Sequence, residues 1–252
     1  MRALTKTEAV VLRAIKYRES SKIVTLYTRA FGKVQVVAKG ARRPKSTFAA
    51  SLEPMSRVMT VFYKSENRDL HLLSQCDVVR SFPRVADNFD KMAVGFSIVE
   101  LIDKVSHGEA PNEKLFGLVT ESLSLLNSTM GNPRNVLYGF EIGLAASLGF
   151  QPSFDRCVVC GNAPKGEEAT FHVGKGGPLC RRHDETPGMK MRISSDSLRI
   201  CSSLENLARA GTMEIDETPR KEIGGLLLGY LRYHIDGLQN LKTRAMLQLA
   251  SA

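Results

Sequence analysis

No apolar run in this 252-residue sequence reaches the roughly 18 to 20 residues that a bilayer-crossing helix needs. The opening stretch "MRALTKTEAVVLRAIKYRES" also lacks the uninterrupted apolar segment and small-residue cleavage site of a secretory signal, so a cytoplasmic location is expected. There is no G-x-x-x-x-G-K-S/T, no G-x-S-x-G and no G-x-G-x-x-G. Nucleotide hydrolysis and acyl transfer therefore have no visible machinery, and "GKGGP" at 174–178 lacks the phosphate-loop spacing. Five cysteines, an odd number with three of them clustered, suit metal binding in a reducing compartment better than a disulfide framework. Acidic residues are missing altogether from positions 20 to 52.

What is present is an ordinary globular composition, 43% apolar and 24% charged, enough to bury a core and keep a surface wet. The net charge of +9 is unevenly spread. Residues 1–80 hold 16 Lys and Arg against 6 Asp and Glu, and the remainder holds 19 against 20. A small domain so biased attracts polyanions, whether nucleic acid, an anionic membrane or an acidic partner.

Between Glu8 and Val79 five β-rich runs, "AVVLRAIKY", "KIVTLYT", "KVQVVAKG", "RVMTVFYK" and "LHLLSQCDVV", are separated by three tight connections and a long one, "ARRPKSTFAASLEP". This punctuation predicts a closed five-stranded Greek-key barrel of the oligonucleotide-binding (OB) type over 1–80, with an SH3-like barrel as nearest competitor. From Pro83 the period becomes helical. Phe89, Met92, Phe96, Val99 and Ile102 form one expected apolar stripe, with Asn88 as N-cap. Further helices are expected in "NEKLFGLVTESLSLLNSTMG", "NPRNVLYGFEIGLAASLGF", "SSDSLRICSSLENLARA" and "PRKEIGGLLLGYLRYHIDGL". The fold class is thus α+β multidomain: a barrel, then a helical domain over 81–252 interrupted by an irregular insert at 151–190.

The insert carries Cys157-x-x-Cys160-Gly161 and, nineteen residues on, Cys180-x-x-His183. Two such pairs let two tight turns present four side chains to one tetrahedral ion, and structural zinc is the expected metal. A segment with so few apolar residues is expected to draw its order from that ion. His183 is favoured as fourth ligand, with His172 able to substitute. Four protein ligands leave no open position, which points to a structural site. A zinc-deaminase layout, H-x-E then P-C-x-x-C, is imitated by His107, Glu109 and Cys157-x-x-Cys160. Arg156 stands where its proline belongs, however, and Cys180 and His183 would have no role in it. Cys76 and Cys201 read as buried apolar residues.

The basic run "KGARRPKS" supplies Lys39, Gly40, Arg42, Arg43 and Lys45, with Lys33 upstream and Arg2, Lys6, Arg13, Lys16, Arg18, Lys22 and Arg29 in the same domain. Phosphate backbone is its natural counterpart, and binding should be salt-sensitive and largely indifferent to sequence. Tyr17, Tyr27, Phe31, Phe48, Phe62 and Tyr63 are candidate stacking faces, most of them expected in the core. The different-class rival is a scaffold whose basic domain docks an acidic protein tail.

"YRESSKIVTLYTRAFGKVQVVAKGARRPKSTFAASLEP" resembles the N-terminal signature of the bacterial DNA repair and recombination protein RecO family, and "LGFQPSFDRCVVCG" with "GGPLC" resembles that family's zinc module. The resemblance implies an N-terminal OB-fold, a helical domain and an embedded zinc finger. It also implies a mediator without catalytic turnover that binds single- and double-stranded DNA and anneals complementary strands. Such a mediator contacts the single-stranded-DNA-binding protein SSB and, with RecR, helps load RecA onto SSB-coated DNA; a nucleoid-associated cytoplasmic location follows. By position, Lys39, Gly40, Arg42, Arg43 and Lys45 fall in the family's basic loop, and Cys157, Cys160 and Cys180 on its zinc ligands. His183 departs from the usual fourth cysteine.

Overall fold

The computed structural model describes residues 2–48, 50–65 and 69–249. Five strands, β1 (Arg2–Tyr17), β2 (Ser21–Thr28), β3 (Gly32–Ala38), β4 (Arg57–Ser65) and β5 (Leu70–Arg80), come first. They are followed by α1 (Pro83–Ala86), α2 (Phe89–Val105), α3 (Glu113–Ser128) and α4 (Pro133–Ser147). Three short strands, β6 (Glu168–His172), β7 (Gly177–Leu179) and β8 (Lys190–Ser194), precede α5 (Ser195–Leu204), α6 (Leu207–Ala210), α7 (Glu217–His234) and α8 (Thr243–Leu249). The chain divides into two compact units, Met1–Asn127 with Lys242–Ala252, and Ser128–Leu241.

In the first unit β1 to β5 close into a barrel in the order β1-β2-β3-β5-β4, the Greek-key order of an OB-fold. All pairs are antiparallel except β3 with β5. Strict alternation sends Val34, Val36 and Ala38 of β3 inward, where they meet Val11, Val24, Leu26, Val58, Phe62 and Leu73. Removing a side chain such as Phe62 from water is worth about 1.5–3 kcal/mol.

The first strand begins seven residues earlier than the apolar pattern indicated. Arg2–Val10 pairs with β4, and Ala9–Tyr17 pairs with β2. A register shift between Val11 and Arg13 lets one strand serve both neighbours. The early half carries Lys6, Thr5 and Thr7 among its few apolar residues, so its alternation is faint in the sequence.

Each end of the barrel is stoppered. At the end where β1 turns into β2, segment 39–56 crosses over. Its described residues form no helix, and it drops Ala41, Phe48 and Leu52 onto the core while Cys76 Sγ donates to Ser51 O. At the opposite end the α2–α3 loop docks on the β2–β3 turn. Lys33 N donates to Gly108 O at 3.2 Å, and a Cβ at Gly32, whose φ is +65°, would lie 2.3 Å from Ala110 O. His71, buried and stacked on Phe62, donates through Nε2 to Glu109 Oε1 at 2.8 Å, while Lys64 Nζ meets Glu109 Oε2 at 2.5 Å. Burial alone would raise the Glu109 carboxyl, but Lys64 and His71 outweigh it and hold it below the ordinary carboxylate range.

Asn88 caps α2 as expected, its side chain accepting from Lys91 N. The expected stripe is corrected. The buried set is Ala93, Val94, Ile98, Val99, Leu101, Ile102 and Val105, while Phe89 is exposed and Met92 and Phe96 are only partly covered. The reason is that α2 packs on β1, α1 and α8 together, so a broad sector is covered instead of a single face.

In the second unit Asn132 caps α4 with Pro133 in its first turn, and the helix ends before Gly149, at φ +92°. The insert is more ordered than the sequence suggested: β7-β6-β8 form a sheet. It buries Phe154, Phe171, Val173, Leu179 and Ile193, and the Phe171 ring meets Tyr230 of α7 edge-on. The expectation that metal alone orders this segment is therefore corrected, because an apolar floor shares the task.

Candidate metal centre and cationic surface

Two reverse turns build the metal centre in the second unit. In the first, Gly161 N donates to Cys157 O at 2.8 Å, made possible by φ +75° at Gly161, and Cys157 N donates to Asn162 O. In the second, a single tight turn, Arg181–His183, returns His183 N to Cys180 O at 2.8 Å. The ligand atoms of Cys157, Cys160, Cys180 and His183 all lie within 4.8 Å of one another. Cys160 Sγ is 3.7 Å from Cys180 Sγ, and His183 Nδ1 is 3.2 Å from Cys180 Sγ and 3.7 Å from Cys157 Sγ. A tetrahedron of metal–sulfur bonds near 2.3 Å has edges of about 3.8 Å, so the donor set fits an ion at its centre.

The electrostatics favour a cation as well. Burial pushes the Cys157 thiol up, but the amides of Cys180, Val159 and Cys160 and the His183 ring outweigh it and bring it down to about 6. At Cys160 the Asn162 amide pulls the thiol down, yet burial and the neighbouring sulfurs Cys180 and Cys157 leave it raised. A divalent ion would supply the countercharge these crowded sulfurs lack. His172 does not join them: its Nδ1 accepts from Lys175 N at 3.1 Å and its Nε2 donates to Pro187 O at 2.8 Å. Cys76 and Cys201 are buried, and desolvation raises their thiols to about 11 and about 12.

Glu109, Cys157 and Cys160 of the deaminase pattern are each engaged elsewhere. Glu109 is engaged by Lys64 and His71 in the first unit, whereas Cys157 and Cys160 sit with Cys180 and His183 in the second.

The cationic surface lies at the stoppered end of the barrel where segment 39–56 crosses. Lys16 and Lys22 are cross-strand partners, and Lys22 is also paired with Ala38, next to Lys39. The β1–β2 turn places Arg18 at φ +51° with its guanidinium 5.3 Å from the Tyr17 ring centroid. Arg42 ties this turn to the crossing segment. Its amide donates to Ser20 O at 2.9 Å, and its guanidinium donates to Glu19 O at 2.9 Å and Arg18 O at 3.3 Å. Gly40, at φ +72°, turns the chain beneath the Arg43 side chain, and Arg43 N returns to Gly40 O at 3.0 Å. Lys45 also holds a left-handed backbone, φ +63°, where glycine or asparagine is the usual occupant.

Among the described residues, Lys16, Arg18, Lys39, Arg42, Arg43 and Lys45 have no carboxylate within 4 Å, and Lys22 meets the exposed Glu53 at 3.6 Å. The result is a ledge of seven cations against Glu19 and Glu53. Lys33 is not on it. It sits at the other end of the barrel, 3.4 Å from Asp103, which also holds Arg13 at 3.2 Å, and Arg29 is taken by Glu8 and Glu113. The side chain of Arg2 lies outside the described residues. Of the six aromatics, Tyr27 and Phe62 are buried, Phe31 and Phe48 pack on the core, and Tyr17 and Tyr63 face solvent in part.

Comparison with known proteins covers nearly the whole chain. The family model described as Recombination protein O N terminal matches residues 1–82, and that described as Recombination protein O C terminal matches residues 86–245. A curated protein named DNA repair protein RecO from Salinibacter ruber is 36% identical over 98% of this chain and 94% of its own length. Proteins of the same name are 31% identical in Pelotomaculum thermopropionicum, over 97% and 93%, and 32% identical in Chlorobium limicola, over 92% and 93%.

Proposed function

The chain belongs to the RecO family, and from that premise we propose that it is a non-enzymatic recombination mediator in DNA repair. It binds single- and double-stranded DNA through the barrel of residues 1–80, using Lys39, Gly40, Arg42, Arg43 and Lys45 with Arg18 and Lys22. The observation that carries this reading is the ledge of seven cations, six of them without a carboxylate within 4 Å among the described residues. Lys33, already paired with Asp103, contributes to the general positive field and not to the contact itself.

The mechanism needs no nucleotide. Two complementary strands repel through their phosphates, and a shared cationic surface screens that repulsion while base pairing supplies the driving force. Annealing on this surface, and delivery of RecA to SSB-coated DNA together with RecR, follow from the family's role. The acidic SSB C-terminal tail is a further partner, and the cytoplasmic nucleoid the site of action.

Zinc is the metal we assign to Cys157, Cys160, Cys180 and His183 in the 151–190 finger. Bound there it would act as a structural crosslink, fixing the two turns to one another. The helical domain over 81–252 then offers partners a second surface. The test is annealing of complementary oligonucleotides without ATP. Acceleration by the purified chain is expected, and it should fade as salt rises. Equal rates with and without protein would leave only a scaffold that docks acidic tails.

A further inference from the structure

The strand registers draw an unbroken row of apolar side chains around the outside of the barrel. Ile15 of β1 lies opposite Ile23 of β2, Ile23 opposite Val37 of β3, and Val37 beside Leu72 of β5. Leu72 then lies opposite Tyr63 of β4, and Tyr63 opposite Leu4, back on β1. Residues directly opposite in a ladder project from the same face. That face is the outer one, because the neighbouring row, Ala14, Val24, Val36, His71 and Phe62, is the core. Leu4, Tyr63 and Ile15 are 61%, 38% and 47% exposed, and the three between them are partly exposed. Scattered apolar residues on a surface call for no explanation, but six in consecutive register across every strand do.

The Ile15–Ile23–Val37 half of this row lies next to the cationic ledge, and Tyr63 and Leu4 carry it toward the opposite end, where Lys64 meets Glu109. Two residues on from Ile15 is Tyr17, under Arg18, and two residues on from Val37 is Lys39, so both share the outer face one step nearer the ledge. A polyanion seated on the ledge therefore sets whatever its phosphates carry against the apolar row. A single strand carries bare base faces, which gain by leaving water for apolar or aromatic side chains, whereas a duplex keeps those faces stacked inside.

We propose that the row Ile15–Ile23–Val37–Leu72–Tyr63–Leu4 is a base-contacting track by which this barrel grips unpaired DNA more tightly than duplex DNA. The proposal rests on the reading of the ledge as a phosphate contact and adds what discriminates between the two forms.

The chain has no tryptophan, so Tyr63→Trp creates a single reporter on the track. An oligothymidylate and a duplex of equal length, each labelled for anisotropy, are titrated in parallel. The expected result is that both bind, that only the single strand quenches the Trp emission, and that Leu4→Ser with Ile15→Ser weakens single-strand binding about tenfold while duplex affinity holds. Unfolding midpoints confirm that these exposed substitutions leave the fold intact. Binding of the single strand without quenching, or an equal loss for both forms, overturns the track while leaving the ledge standing. Quenching by an acidic, leucine-containing peptide and not by the single strand assigns the row to a protein partner and likewise overturns it. Failure of either DNA to bind at all removes the ledge reading, and the track falls with it.

Discussion

Replacing Lys39, Arg43 and Lys45 together by alanine removes half of the six cations on the barrel end that have no carboxylate within reach. Arg42 is spared deliberately, because its guanidinium also holds the β1–β2 turn through Glu19 O and Arg18 O, and its loss would mix folding with binding. Each phosphate neutralised on a single strand contributes about 0.7 to the slope of log affinity against log salt. If all six cations meet phosphates, the slope is about −4, and affinity falls roughly 300-fold between 50 and 200 mM salt. The triple variant should show a slope of about −2 and a fall of roughly 20-fold over the same range. Anisotropy of a labelled oligonucleotide at four or five salt concentrations measures both. Lys33→Ala is the control: its ammonium is already committed to Asp103 at the far end of the barrel, so the slope should move by less than one contact. A triple variant whose slope matches the parent, or a Lys33 variant that flattens it equally, would refute the argument that unpaired cations on this ledge set the affinity.

The purified chain should contain one equivalent of zinc by atomic absorption. Cys180→Ser should lose it and lower the unfolding midpoint, whereas His172→Ala should retain it, since the His172 ring is spent on backbone groups. The stability lost with the metal should fall below the ~10–16 kcal/mol seen for isolated zinc-finger peptides, because Phe154, Phe171 and Tyr230 keep part of the insert in place. At Glu100 burial pushes the carboxyl up, but Thr243 through hydroxyl and amide, the Lys242 amide and Lys104 outweigh it and hold the group low. A depressed folded value means the attachment of α8 is at full strength above the ordinary carboxylate value near ~4.3 and is lost as pH falls through the folded value. The protection factors of residues 243–249, each taken against the intrinsic exchange rate at that pH, should therefore fall in acid, and Glu100→Gln should lower them at every pH.

The barrel was readable because its strands alternate and its turns are marked. "KVQVVAKG" puts valines inward at every second position, and the glycines at 32 and 40 carry the positive φ that the chain reversals require. The first half of β1 was not readable, since a strand that pairs through its backbone with β4 needs little apolar content on its own face. The grouping of Cys157, Cys160, Cys180 and His183 followed from spacing alone, because a tight turn brings residues i and i+3 together whatever lies around them. Spacing favoured His183 over His172, and the fold agrees: His172 ends β6 with both ring nitrogens on backbone groups, whereas His183 lies in the turn beside the cysteines. Charge in the sequence overstated the cationic surface. Arg13, Arg29 and Lys33 count as cations in the tally but are cancelled by Asp103, Glu8 and Glu113, which only the fold brings to them. The sheet in the insert went unseen because "GPL" carries no strand pattern, and its partners are set by the ladder to Thr170–His172.

The clamp of Glu100 on Lys242 and Thr243 spans 143 positions in the chain. During translation at about 5–20 residues per second, Glu100 is made roughly 7 to 30 s before its partners exist. In that interval the nascent barrel and its first three helices must wait with the α8 seat vacant, while everything between is threaded out. Helix α8 is thus the closing stitch of a unit whose barrel was made long before it, and a ribosome stalled short of residue 242 holds a barrel that has yet to receive it.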